Sequence, residues 1–91
     1  MGIWRYKKGI IYFIYSPFNK KVKIGITSNS IKIRFEQISF NSPVKLKILR
    51  TIEGTLSEER DLHHKFKKYH SHNEWFKFEG ELKNFIIGIK K

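Results

Sequence analysis

The stretch Gly9 to Gly25, GIIYFIYSPFNKKVKIG, constrains this chain more than any other. Two apolar runs flank a turn-rich centre, Ser16-Pro17-Phe18-Asn19-Lys20, and the pattern predicts a β-hairpin. Strand side chains alternate, so Ile11, Phe13 and Tyr15 share one face while Ile10, Tyr12 and Ile14 share the other. On the return strand Val22, Ile24 and Ile26 oppose Lys23, Gly25 and Thr27. A register that pairs Ser16 with Lys21 sets the two apolar rows side by side as the core face. A slip of one residue would bury Lys23 and expose the isoleucines, so the hydrophobic pattern selects against it. In this register Tyr12 and Lys23 project from the other face, which is expected to be the less buried one. Gly25 lies opposite Tyr12, and its missing side chain is expected to leave open space beside the phenol.

Elements after the hairpin follow from local signals. Ser28-Asn29-Ser30 supplies helix caps, and Ile31, Arg34, Phe35 and Ile38 recur at helical spacing until Asn41-Ser42-Pro43 stops the helix. Arg34 thus falls beside an apolar stripe. Residues 44–52 alternate as a third strand, with Gly54 as its breaker. Thr55-Leu56-Ser57-Glu58 is a capping box that opens a helix expected to reach about His70. Its stripe of Leu56, Leu62, Phe66 and Tyr69 includes Glu59 and His63, whereas Glu58 points to solvent. Ser71-His72-Asn73 reads as a loop, 74–78 as a short strand, and Leu82, Phe85, Ile86 and Ile89 as the inner face of a last helix. Trp4 and Tyr6 are expected to pack on the edge of the domain.

Charge bears on the partner. The chain of 91 residues carries 19 Lys+Arg against 8 Asp+Glu, a net charge of +11. Such an excess suits a polyanion, because each phosphate neutralised releases counterion, although a solubilising surface would also account for it. Nucleic acid is the expected partner and a membrane is not. No apolar run approaches the ~20 residues of a spanning helix. Lys7-Lys8 lacks a downstream cleavage site, and Tyr6 breaks the myristoylation pattern. The absence of cysteine rules out disulfides and thiolate zinc sites and fits a reducing compartment. One soluble, cytoplasmic domain over residues 1–91 is expected, with no separate recognition module.

Tyr12, Lys23, Arg34 and Glu59 stand out because each adjoins apolar positions in its own element. Together with their neighbours they carry a resemblance. The chain resembles a minimal GIY-YIG nuclease domain, with Gly9-Ile10-Ile11-Tyr12 as the first signature and Lys23-Ile24-Gly25 as the second. It is most similar to a short subgroup whose second signature is K-I-G, followed by E-x-x-L-H-x-x-F (Glu59 to Phe66) and E-W-F (Glu74 to Phe76). The ordered series covers residues 9–78. The resemblance implies an α+β fold, a small three-stranded antiparallel sheet flanked by helices, and metal-dependent hydrolysis of DNA phosphodiesters. It assigns catalysis to Tyr12, Arg34 and Glu59, with Lys23 where the family more often has its second tyrosine.

The expected chemistry follows from these residue types. A free tyrosine has a pKa of about 10, and a cation at Lys23 would favour its phenolate, which would then activate water. Arg34 would grip the scissile phosphate, and Glu59 would hold a hard divalent cation, Mg²⁺ or Mn²⁺, with water filling most positions. No small-molecule cofactor is expected. His63 is a secondary candidate. Lys20, Lys21, Lys32, Lys45, Lys47, Lys67 and Lys68 are the expected DNA contacts, positioning the backbone without reading bases. Specificity would come from a homodimer, a partner or the loops.

Each assignment has a structural alternative. Tyr12 could be a strand tyrosine with a satisfied hydroxyl, and Lys23 an outward lysine. Arg34 could pair with Glu59, and His63 could be a packed helix residue. His63, His70 and His72 could hold zinc only across a helix end. As a whole, a non-catalytic nucleic-acid-binding module on the same scaffold remains the rival to an enzyme.

Overall fold

A computed structural model describes residues 7–89; Trp4 and Tyr6 lie outside them. The elements, in chain order, are β1 (Lys8–Ser16), β2 (Lys21–Thr27), α1 (Ile31–Phe40), β3 (Lys47–Thr55), α2 (Leu56–Lys65), a 3₁₀ turn (Lys67–Tyr69), β4 (His70–His72), β5 (Trp75–Lys77) and α3 (Gly80–Gly88). The fold is α+β: one five-stranded antiparallel sheet in the order β3-β1-β2-β5-β4, with three helices. Among the described residues no helix is long and apolar enough to cross a membrane.

The hairpin has the register that its pattern dictates, with Ser16 opposite Lys21 and Tyr12 opposite Gly25. Ile11, Phe13, Val22 and Ile24 form the core face and pack with Phe66, Tyr69, Phe76, Leu82 and Ile86. The last helix presents Leu82 and Ile86 inward as expected, with Phe85 and Ile89 against the core margin. Both of its ends are held by residues from other elements. The Glu81 N–H donates to the Tyr69 hydroxyl at 3.0 Å, and Arg50 Nε donates to the Ile89 carbonyl at 2.9 Å. These bonds satisfy helix-terminal groups that have no partner within the helix.

Several expectations are corrected. The sheet has five strands, not three. The central trio β3-β1-β2 is extended by β5 and β4, and Ser71-His72, expected in a loop, belongs to β4. The third strand covers Lys47–Thr55, not 44–52, and Gly54 pairs with Gly9 inside the ladder instead of ending it. A bulge also shifts the β1–β3 register between Phe13 and Ile14, so one alternation cannot describe the whole of β3. Helix α2 ends at Lys65 and passes into the 3₁₀ turn before His70.

The second face of the hairpin is not the less buried one either. Tyr12 is 1 % exposed and Ile14 0 %. Nor does Gly25 leave a gap. A Cβ there would collide with the Tyr12 hydroxyl and come within 2.5 Å of Cζ and 2.8 Å of Cε1. The phenol ring itself fills the space that the glycine vacates.

Candidate active site

The side chains singled out in the sequence arrive on four elements. The strand pair β1–β2 carries Tyr12 and Lys23, α1 carries Arg34, and α2 carries Glu59 and His63. Helix α1 starts at Ser30, whose hydroxyl accepts from the Lys32 N–H at 3.1 Å. That start sets the phase of the helix. Ile31, Arg34, Phe35 and Ile38 all become half-buried, so Arg34 reaches inward.

Arg34 and Tyr12 meet. Arg34 Nε donates to the Tyr12 hydroxyl at 3.4 Å, while Nη1 donates to Gln37 Oε1 at 3.3 Å. Burial pushes the Tyr12 pKa up from its ordinary value of 10.0. The hydrogen bond and charge of Arg34 oppose that rise, and the carboxylates of Glu74 and Glu59 reinforce it. The phenol is therefore neutral at physiological pH. Lys23, expected to favour a phenolate, is not among the groups that move the Tyr12 pKa; it pairs with Glu74 at 3.2 Å and lies 5.7 Å from the centroid of Trp75. The cross-strand pairing of Lys23 with Trp75 accounts for both contacts.

Glu59 is 5 % exposed. Its Oε2 lies 2.9 Å from His63 Nε2, one helical turn on, and the same nitrogen lies 2.9 Å from the Ile24 carbonyl of β2. Both neighbours are acceptors, so Nε2 carries the proton and shares it between them. His63 also stands edge-on to Phe76, with centroids 5.0 Å apart. The pKa of His63 is raised from 6.5, chiefly by the hydrogen bond to Glu59, with burial acting against it. Arg34 does not pair with Glu59; the two take different partners.

Two open grooves flank this cluster. One, of about 880 Å³, is lined by Glu59, His63 and Glu74 together with Lys67 and Lys68. The other, of about 400 Å³, is lined by Lys23, Arg34 and Trp75. Glu74 faces the first groove and binds Lys23 in the second, which joins them. Glu74 and Gln37 are positioning groups that the sequence did not single out individually. The E-W-F motif contained a signal for Glu74, because pairing of Trp75 with Lys23 brings its neighbour alongside. Gln37, three residues after Arg34, carried only the ordinary i,i+3 proximity of a helix.

Among the described residues, no group of three or more His, Asp or Glu side chains could hold a metal ion, which also removes the three-histidine zinc alternative. A hard cation that keeps most of its water needs less. Glu59 lines the open groove with its Oε2 held by His63, so a single carboxylate is what the described residues would offer such an ion there.

Of the expected DNA-binding lysines, Lys20, Lys32, Lys45, Lys47, Lys67 and Lys68 are exposed. Lys21 is half-buried and donates to Ser71 Oγ at 2.7 Å, a bond between β2 and β4. Among the described residues it is the one of the seven whose ammonium donates a hydrogen bond; Lys68 lies over the Tyr69 ring, 5.4 Å from its centroid.

The family comparison places this α+β domain in a GIY-YIG-related class. The T5orf172 domain model matches residues 9–89, and the chain belongs to that family. No curated protein and no solved structure matches it.

Proposed function

We propose that this chain is a metal-dependent endonuclease that hydrolyses phosphodiester bonds in DNA. The observation that carries the proposal is the Arg34–Tyr12 contact, a guanidinium held on a neutral phenol within electrostatic reach of Glu59. Membership of a GIY-YIG-related family supports it.

The roles follow from the chemistry of each group. Arg34, steadied at Nε by Tyr12 and at Nη1 by Gln37, turns its remaining N–H groups to a phosphoryl oxygen. The Tyr12 hydroxyl accepts from Arg34, which leaves its own proton to donate and so to orient the attacking water or an oxygen of the phosphate. Tyr12 is thus a proton donor and not an ionised base. Lys23, held by Glu74, adds positive charge on the Arg34 side. Glu59, fixed by His63, would hold Mg²⁺ or Mn²⁺, which when bound would neutralise charge on the phosphate and make water more acidic.

Incubation with supercoiled plasmid and Mg²⁺ or Mn²⁺ tests the proposal. The wild-type protein should yield nicked or linear product, and Glu59→Gln should slow cleavage by about two orders of magnitude or more. Equal cleavage by the variant would refute the assignment. Burial of Tyr12 favours a second reading, a nucleic-acid-binding module without catalysis, for which the wild-type protein would bind the plasmid and leave it intact.

A further inference from the structure

The groove beside Arg34 does not end at Trp75. A third cavity, of about 260 Å³, opens at the hairpin turn and shares Ser42, Pro43, Leu46 and Trp75 with that groove. Its outer lip is Phe18, which is 80 % exposed. Scattered exposed apolar residues are ordinary, and Phe40, at 89 %, lines none of these cavities. Phe18 differs because it borders a cavity with a second aromatic in its wall. In that wall Ser16 is 2 % exposed, and its hydroxyl has no hydrogen-bond partner. Lys20 and Lys45, both exposed, adjoin the lip and the wall in sequence and supply positive charge.

We infer that this continuous surface binds an unpaired segment of DNA, with Trp75 and Phe18 stacking on its bases and the lysines meeting its phosphates. The cavity admits a nucleobase but not a duplex, and unpaired bases expose the ring faces that aromatic side chains take up. The direction of the strand, leading away from a phosphate at Arg34, rests on the nuclease reading; the stacking surface does not. The preferred substrate is then a duplex with a single-stranded extension, not a blunt one.

Fluorescence anisotropy at fixed salt and in EDTA tests binding apart from cleavage. Three duplexes of equal length are compared: blunt, with a thymine tail, and with an abasic tail of the same number of phosphates. The thymine tail should bind about tenfold more tightly than the abasic tail, the gain expected from stacking. Phe18→Ala should lower that ratio several-fold, leaving only the share that Trp75 supplies, and Phe18→Trp should retain it. Thermal melting by circular dichroism checks that both variants fold. Equal affinity for the two tails in the wild-type protein, or an unchanged ratio in Phe18→Ala, would overturn the inference. An intact plasmid alongside a preserved tail ratio would remove the nuclease reading alone.

Discussion

Gly25 and Tyr12 are two halves of one device. The phenol needs a flat bed on the neighbouring strand, and only a residue without a Cβ provides it. Seated there, the hydroxyl is aligned for Arg34 Nε. In Gly25→Ala the new methyl group would overlap ring atoms that are nearly fully enclosed, so the ring or the strand must move. Overpacking of this kind costs about 1–3 kcal/mol. Urea unfolding should show that loss, and stability equal to wild type would mean that the ring does not rest on the glycine. The pairing of the two residues was legible in the sequence, since period and register fix which residues face each other. The fate of the gap was not. Alternation assigns side chains to faces, but it does not say what covers a face; here Arg34 comes from α1, the element that follows β2, and strand periodicity says nothing of where that helix packs.

Helix α2 shows what a single element can and cannot declare. Its start is explicit: the Thr55 hydroxyl accepts from the Glu58 N–H at 3.2 Å, and Glu58 Oε1 accepts from the Thr55 N–H at 2.8 Å. Its end is not, because the apolar stripe continues through Phe66 and Tyr69 across the 3₁₀ turn, and burial alone does not distinguish the two helix types. Strand β4 was illegible for a related reason. His70-Ser71-His72 has no apolar alternation, and its strand character comes from pairing with β5. What ties α2 to the sheet is His63, through Glu59 on its own helix and the Ile24 carbonyl on β2. The folded pKa of His63 is raised above the unfolded value of 6.5. Its contribution to stability is therefore complete below that unfolded value and is lost as pH rises through the folded pKa. Thermal melts in EDTA should show His63→Gln further below wild type at pH about 5.5 than at pH about 8.5. A difference independent of pH would mean that His63 acts only by packing.

At the scale of the whole molecule, the net charge of +11 acts over distances that no single contact spans. Six exposed lysines, Lys20, Lys32, Lys45, Lys47, Lys67 and Lys68, are distributed over the hairpin turn, α1, the approach to β3 and its start, and the turn after α2. Lys67 and Lys68 line the groove of Glu59, so the field is strong where two carboxylates would otherwise repel a phosphate. On the nuclease reading, charge of this kind would draw DNA in regardless of sequence and leave its cleavage to the buried groups. If these six meet phosphates, log K should fall with log salt at a slope of roughly −5, or about three orders of magnitude between ~50 and ~200 mM. Anisotropy titrations of a blunt duplex across that range measure the slope. Replacing Lys67 and Lys68 together with Ala should make it shallower by about 2 if both meet phosphates. A flat dependence in the wild-type protein would mean that the positive surface serves some other end, and the groove lysines would then have no electrostatic part in bringing DNA to Arg34.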